Sequence, residues 1–312
     1  MNYEEALLSP MISWDSLTKY IKIPKKLYKY QSFIKMDRTD NPHWMSNMEG
    51  QFHMSLGCEF EDRNDCKPYF KKNAIIHHLY DSSTLLNGDV ETKLKILVKL
   101  VDRLNNKYFD SVASKYQSEI RIGCFTDLND NEKMWEKYAS NKTGYCIEYD
   151  TSKNELFQIS TLPILYSTHF YDCSETLATL LILECNKLEE KECLEEDSIK
   201  TFEPIYRRLL KMVYIPLFIK QNYWAFEREY RMFLLHHRNT RKGLLKDSAY
   251  LDTNYNINLT NAVSAIYLGE NFTKLDNYRE LLNKVIEICK MKQIGLFQKI
   301  VRDGKLENIK IL

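Results

Sequence analysis

Short segments in which apolar and polar positions alternate predict strands, because successive side chains of a strand point to opposite faces of a sheet. Segments with this alternation, or with a short continuous apolar run, are residues 27–30, 51–56, 120–125, 145–149, 223–235, 263–268, 294–297 and 309–312. The run I-R-I-G-C-F at 120–125 is typical of a buried strand. These strands predict a sheet assembled from segments distant in the sequence.

Helical spacing of apolar residues separates these strands. The segments with this spacing are residues 3–20, 92–118, 134–139, 175–196, 206–219 and 275–289. Because two of them follow one another without a strand between, we interpret residues from about 170 to 220 as a helical insertion. The order of elements predicts an α+β fold, with a mixed or antiparallel central sheet and flanking helices, in a single domain of residues 1–312.

Composition narrows the class of protein only slightly. The chain has 44 Lys and Arg residues against 43 Asp and Glu residues, a net charge of +1. This balance argues against a protein that holds polyanions through bulk charge. The chain contains neither the G-x-x-x-x-G-K-S/T phosphate loop nor the G-x-S-x-G nucleophile motif. P-loop NTPases and α/β-hydrolases are therefore not expected.

The cysteines, the histidines and the chain start favour a cytoplasmic protein without a bound metal. Eight scattered cysteines include no C-x-x-C pair, which predicts buried free thiols in a reducing compartment. The histidines do not form the i, i+4 pair of a helical metal site. No signal peptide is recognised at the N-terminus, and the apolar stretch 177–183 is too short to cross a bilayer.

The segment W-A-F-E-R-E-Y-R at 224–231 carries the densest candidate chemistry. If it is a strand, Glu227, Glu229 and Arg231 share one face, with the two carboxylates roughly 6.5–7 Å apart. Neighbouring carboxylates raise one pKa and suit one group to proton transfer or to stabilising a cation. Arg231 could hold a carboxylate or bind a phosphate. An edge strand with a Glu–Arg pair remains open, as does a helix with an i, i+4 salt bridge.

Two further clusters each allow a functional and a structural interpretation. The loop F-E-D-R-N-D-C at 60–66 offers Asp62, Asn64 and Asp65 to a ligand, or forms a turn stabilised by its own side chains. The helix at 134–139 offers Trp135 and Tyr138 as stacking rings, or buries them in the core.

Taken in order, several motifs resemble the DUF2971 family, a bacterial group associated with abortive phage infection. The matching stretches are L-Y-K-Y at 27–30, F-H-M-S at 52–55, C-F-T at 124–126, M-W-E-K-Y-A at 134–139, G-Y-C-I-E-Y at 144–149, W-A-F-E-R-E-Y-R at 224–231 and V-S-A-I-Y-L-G at 263–269. The family's F-N-D-P block is altered here to F-E-D-R-N, and Gln31 stands where many relatives carry arginine. Both departures weaken any role carried over to those positions.

The order of elements also resembles ADP-ribosyltransferases of the arginine–serine–glutamate type. This resemblance implies NAD as the substrate, and matches Tyr28 or Lys29, Ser55, and Glu227 with Glu229 to the family's reactive positions. The implied site residues are Glu229, Glu227, Ser55 and Tyr28 for catalysis, and Lys29, Tyr30, Asp62, Asn64, Asp65, Trp135, Tyr138, Trp224 and Arg231 for the ligand. Together, the two resemblances imply that this protein is a toxin-like anti-phage effector. It would act on a protein or nucleic-acid target and work with a partner protein from the same operon.

Two other functions stay open at this point. A metal-dependent nuclease would use the four carboxylates of Asp62, Asp65, Glu227 and Glu229 as magnesium ligands. A non-catalytic module would bind a nucleotide signal through Arg231 and the nearby carboxylates.

Overall fold

The structure is a computed structural model, and it describes residues 1–12, 14–34, 39–190, 211–212, 214–235, 251–302 and 305–312. By contacts between Cα atoms, the chain groups into two compact units. The first unit consists of residues 1–21, 56–120 and 165–222, and the second of residues 22–55, 121–164 and 223–312. The single domain expected from the sequence stays a prediction.

The described α-helices are α1 (Tyr3–Leu8), α2 (Trp14–Leu17), α3 (Trp44–Met48), α4 (Lys72–Asp81), α5 (Val90–Arg103), α6 (Asn106–Glu119), α7 (Glu132–Tyr138), α8 (Leu156–Ser160), α9 (Ser174–Glu190) and α10 (Tyr278–Lys292). The described strands are β1 (Lys26–Gln31), β2 (Gln51–His53), β3 (Ser55–Leu56), β4 (Ile120–Thr126), β5 (Tyr145–Asp150), β6 (Thr161–Pro163), β7 (Leu165–Ser167), β8 (Ile219–Gln221), β9 (Glu229–Leu235), β10 (Asn256–Asn258), β11 (Val263–Leu268), β12 (Gly295–Arg302) and β13 (Lys305–Lys310).

The second unit is built around a nine-stranded mixed sheet. Its order is β13-β12-β11-β5-β1-β4-β9-β6, and β3 pairs with β4 off this path. Strands β11 and β12 run parallel and are joined through α10, whereas β5 pairs antiparallel with both β1 and β11. This arrangement confirms the predicted α+β class with a mixed central sheet.

The central strand β5 shows how the two faces of the sheet are divided. Tyr145, Ile147 and Tyr149 lie in a large apolar core, to which Leu27, Phe125, Met232 and Ile266 of neighbouring strands also belong. The alternate residue Cys146 lies in a second, smaller cluster with Tyr28, Tyr30 and Tyr267. Both faces of β5 are therefore covered, which explains its nearly continuous apolar sequence.

The first unit is mostly helical. Its core brings together apolar residues of α4, α5 and α9, among them Ile75, Leu79, Leu97, Leu100 and Ile182. The helix predicted over 92–118 is in fact two helices, because the first ends at Arg103 and Asn105 caps the second. Its side-chain oxygen accepts a hydrogen bond from the Tyr108 amide at 3.0 Å.

The predicted helical insertion is only partly described. Helix α9 and a 3₁₀ turn at Ile215–Phe218 lie within residues 170–220, but they are separated by residues 191–210, which are outside the described part of the chain. The helix predicted over 206–219 does not reach residue 219, since β8 begins there and pairs in parallel with β7.

The cysteines of the described residues are all free thiols. Cys58 is exposed, Cys124 and Cys185 are half-buried, and Cys66, Cys146, Cys173 and Cys289 are buried. Among the same residues, no helix has the length and apolar character needed to cross a membrane.

Candidate functional site

A row of polar side chains crosses the face of the large sheet that lies opposite its main apolar core. It is formed, strand by strand, by Lys299 of β12, Tyr267 of β11, Glu148 of β5, Tyr28 of β1, Cys124 of β4, and Glu229 and Arg231 of β9. Their sequence neighbours Ile147, Phe125 and Met232 point into the apolar core. The two-residue period of strands therefore places the polar row on the other face.

Glu148 is the most heavily hydrogen-bonded carboxylate of this row. It accepts hydrogen bonds from the hydroxyls of Tyr28 at 3.2 Å, Tyr267 at 2.8 Å and Ser264 at 2.8 Å. Lys26 pairs with it at 2.9 Å. Burial acts to raise the pKa of Glu148, but the bonds from Lys26, Ser264 and Tyr267 outweigh it and lower that pKa. Glu148 is therefore an ionised, buried carboxylate that orients the two tyrosine hydroxyls.

A β-bulge explains how Ser264 reaches Glu148. The pairing of β11 with β5 shifts register between Val263 and Ala265. The extra residue of a bulge is left out of the ladder, and the strand bends around it. Ser264 is that residue, and its hydroxyl turns toward the carboxylate instead of away from it.

Helix α7 packs on this face of the sheet through its M-W-x-x-Y-A motif. Trp135 is 1% exposed, and its ring meets that of Tyr30 edge-on, with the centroids 5.0 Å apart. The indole nitrogen donates to the Asn129 carbonyl at 2.9 Å, and the Tyr30 hydroxyl donates to the Leu128 carbonyl at 3.0 Å. Trp135 and Tyr30 thus hold the helix and its preceding loop on the sheet, and they are not open to a ligand as the sequence suggested.

The predicted strand over 223–235 is wrong in its first half. Residues Asn222–Glu227 form a 3₁₀ helix, and the strand begins only at Glu229. Between them, Arg228 adopts a φ of +45°, a backbone conformation uncommon for residues other than glycine. The change of direction separates Glu227 from Glu229, so the two carboxylates do not share one strand face.

Glu227 lies beneath the last turn of α7. It is 4% exposed, and its carboxylate accepts a hydrogen bond from the Tyr138 hydroxyl at 2.5 Å. The Asn131 side chain donates to the Phe226 carbonyl at 2.5 Å, while its own oxygen caps α7 by accepting from the Met134 amide. Asn131 therefore fixes the 3₁₀ helix against α7, and Tyr138 links Glu227 to the surface.

Glu229 and Arg231 form a buried ion pair within β9. The Arg231 Nε and one terminal nitrogen lie 2.6 Å and 3.2 Å from the two Glu229 oxygens, a bidentate arrangement. The two residues are 4% and 1% exposed. Burial, and then the Glu229 charge, raise the pKa of the neighbouring Cys124 thiol. Of the two roles predicted for Arg231, the structure shows the one in which it holds a carboxylate, and its role in binding a ligand stays a prediction.

Aromatic rings and lysines form the outer edge of the Glu227 site. The Lys137 Nζ lies 4.7 Å from the centre of the Trp224 ring and 5.6 Å from that of Tyr138. Lys133 lies 5.5 Å from the centre of the Phe226 ring. Trp224, Phe226 and Tyr138 are all half-buried, so part of each ring faces solvent beside these lysines.

The other candidate residues occupy different places. Ser55 is half-buried in β3, and Lys29 of β1 lies on the opposite face of the sheet, with its Nζ 5.4 Å from the centre of the Phe52 ring. Two of the catalytic candidates lie in the polar row: Tyr28, bonded to Glu148, and Glu229, paired with Arg231.

The loop at 60–66 belongs to the first unit, where it is a turn. The Asp62 carboxylate accepts from the Asn64 amide at 2.9 Å, and Asp65 is buried beside Lys220, with Nζ 3.5 Å from its oxygen. The three residues line a small cleft with Tyr171 of the same unit. Asp62 and Asp65 are grouped in the first unit and Glu227 and Glu229 in the second. Within the described ranges, no three His, Cys, Asp or Glu side chains form a group able to hold a metal.

Sequence reasoning missed Glu148, Tyr267 and Lys299. One signal was available for Glu148, because it is a charged residue in the middle of the otherwise apolar and aromatic run Y-C-I-E-Y. Charged residues are almost never fully buried unless they are paired. A glutamate in a predicted buried strand therefore indicates a partner, although the sequence does not identify which one.

The comparison with family models finds one match within this region of the chain. Residues 134–232 match the family described as Protein of unknown function (DUF2971). The matched stretch includes α7, Glu148, Glu227 and the Glu229–Arg231 pair, and so most of the site described above. No curated protein and no solved structure matches the chain. The chain is therefore similar to the DUF2971 family over residues 134–232, which is less than half of its length.

Proposed function

We propose that this protein cleaves NAD or a related nucleotide at the bond between its base and its ribose, with Glu227 as the reactive carboxylate. The observation that carries the proposal is the hydrogen bond from the half-exposed Tyr138 hydroxyl to the buried Glu227 carboxylate. It brings an oriented acidic group to the edge of an aromatic surface. Glu148 is also buried and linked to the exposed Lys26, but its oxygens are further occupied by Ser264 and two tyrosines, and Glu229 is paired with Arg231.

The chemistry requires a carboxylate in this setting. As the bond between nicotinamide and ribose C1′ breaks, nicotinamide leaves with the electron pair and C1′ becomes positively charged. A fixed carboxylate stabilises that charge strongly where water is excluded. Water or an acceptor hydroxyl then forms the new bond to C1′ and releases its proton. Tyr138 orients Glu227 for this step.

The aromatic edge supports a nucleotide as the substrate. Trp224, Phe226 and Tyr138 offer ring faces on which a base can stack, and stacking on aromatic side chains is worth about 1–3 kcal/mol per base. Lys133 and Lys137 lie over the same rings and provide positive charge for the phosphates. We assign the reactive role to Glu227 and not to Glu229, because the Glu229 carboxylate is paired with Arg231.

The test is release of nicotinamide from NAD by purified protein, followed by chromatography. We expect turnover by the wild type and a fall of about 100-fold or more in Glu227→Gln, in line with the loss of one electrostatic catalytic group. Tyr138→Phe should cause a smaller fall. Glu136→Gln on the exposed side of α7 is the matched control and should keep full activity. Absence of wild-type turnover, or equal turnover by a folded Glu227→Gln variant, would refute the proposal.

The biological setting we propose is an effector of phage defence that acts in the cytoplasm on a protein or nucleic-acid target, together with a partner from the same operon. Expression of the wild type in bacterial cells should then deplete NAD and stop growth. Glu227→Gln should leave both unchanged, and growth arrest by this variant would contradict the assignment.

A further inference from the structure

Lys299 of β12 is a buried lysine whose charge has no partner among the residues that the structure describes. Its side chain is 1% exposed. Within that part of the chain, no carboxylate lies within ion-pairing distance of its Nζ and no acceptor within hydrogen-bonding distance. The centroid of the Tyr267 ring lies 5.4 Å from the Nζ. An ammonium group in this position lacks the compensation that burial of a charge requires.

Among the described residues, the other buried lysines and arginines each have a bonding partner. Lys211 donates to the carbonyls of Ala6 and Ser9, and Arg231 pairs with Glu229. Arg121 donates to the Met54 carbonyl at 3.2 Å. The lack of a partner at Lys299 is therefore not a general property of buried lysines and arginines in this fold.

The nearby acidic groups do not supply the missing charge. Glu148 is a buried carboxylate of the same face, and it is already paired with Lys26 and hydrogen-bonded by two tyrosine hydroxyls. Burial lowers the pKa of Lys299, and the longer-range effects of Cys146 and Asp130 do not offset this lowering. The charge of the Lys299 ammonium is thus left without a compensating anion among the described residues.

The Nζ of Lys299 keeps at most a small contact with solvent, because the side chain is 1% exposed. It is not one of the fully enclosed polar atoms without a partner, although the side chain as a whole is buried. Beside it, the rings of Tyr267 and Phe297 stack with their centroids 5.0 Å apart. A cation next to a flat aromatic wall is a suitable place for an oxyanion carried on a small, partly apolar molecule.

We propose that Lys299 is the cation of a binding site for an oxyanion, a phosphate or a carboxylate group of a small ligand, beside the rings of Tyr267 and Phe297. This site differs from the Glu227 site, because its cation and rings come from β11 and β12, whereas Glu227 precedes β9 and is bonded to Tyr138 of α7. The rings of the two sites nevertheless pack in the same apolar cluster. The proposal does not depend on nucleotide cleavage at Glu227.

Titration calorimetry with inorganic phosphate and with benzoate tests the site in the full-length protein. We expect the wild type to bind at least one of the two probes, and Lys299→Met to lose at least tenfold in affinity for it. Lys299→Arg should retain binding within a few-fold because it keeps the charge. Lys310→Met, an exposed lysine of the adjacent β13, is the matched control and should bind like the wild type. Phosphate binding would point to a phosphorylated ligand, and benzoate binding to a carboxylate.

Thermal melting of the same variants controls for folding. Lys299→Met should melt no lower than the wild type, since it removes an uncompensated charge, and the probe should raise the melting temperature of the wild type only. Failure of the wild type to bind either probe at about 10 mM, or equal binding by Lys299→Met, would overturn the proposal. Glu227→Gln should bind the probes normally, so a failure of the proposed nucleotide chemistry would leave this result unaffected.

Discussion

Replacing Arg231 by methionine should destabilise the protein by about 3–5 kcal/mol. The change keeps most of the side-chain volume but removes the guanidinium that binds both Glu229 oxygens. Glu229 is 4% exposed, so water cannot replace the lost partner. Breaking a buried ion pair from one side typically costs this amount, because the remaining charge stays buried without compensation.

Urea unfolding followed by circular dichroism measures this loss as a change in the free energy of unfolding. The double variant Glu229→Gln with Arg231→Met removes both charges, and it should recover at least about 1 kcal/mol of the loss. Arg302→Met is the matched control. Arg302 is exposed and lies 3.8 Å from Glu307, and an exposed pair is worth at most about 1 kcal/mol.

Two results would refute the reasoning. One is a cost below about 1 kcal/mol for Arg231→Met, which would mean that Glu229 is solvated or protonated after the change. The other is a double variant no more stable than Arg231→Met alone, since the loss would then come from packing and not from the unpaired Glu229 charge.

Three further predictions concern pH and packing. Burial lowers the pKa of Lys211 from 10.5 to about 8, so the folded state binds this proton more weakly than the unfolded state. The free energy of unfolding of the wild type, relative to that of Lys211→Met, should therefore rise between about pH 8 and 10.5, by at most roughly 3 kcal/mol. Unfolding at several pH values measures this rise. Gly144→Ala should lower the melting temperature more than Gly295→Ala, because its Cβ would lie 2.2 Å from the Gln31 carbonyl oxygen, whereas that of Gly295 meets only a phenylalanine ring. Glu148→Gln should cost about 1.5–3 kcal/mol at neutral pH in urea unfolding. Because the folded pKa of Glu148 is lowered, its stabilisation is present above the unfolded pKa, and the difference between variant and wild type should shrink as the pH falls through the folded value.

The sheet could be predicted from the sequence where burial determined the pattern. Strands β1 and β5 were located to within one residue at each end, and β11 at its observed ends, because buried strands leave a distinct apolar sequence. The M-W-x-x-Y-A helix was also predicted within two residues. The two helices at 90–119 could have been separated, since Leu104 is followed by Asn105, a common capping residue.

The geometry of the candidate site could not be predicted in the same way. Alternation over the four residues W-A-F-E does not distinguish a strand from a 3₁₀ turn. The positive φ that redirects the chain occurs at Arg228, and an arginine gives no signal of that conformation. The partners of Glu148 come from β1 and β11, far away in the sequence, and depend on strand order and on the bulge at Ser264. These features arise from tertiary structure and have no local signature.

The exposed and the buried thiols of this protein differ in their accessibility to reagents. Cys58 is exposed, whereas burial raises the pKa of Cys146 and Cys289 and so keeps both as unreactive thiols. An alkylating reagent should therefore modify Cys58 at once and the two buried positions only when the large sheet opens. The delay between these two reactions, resolved by mass spectrometry, would report the opening rate of the second unit without any added label.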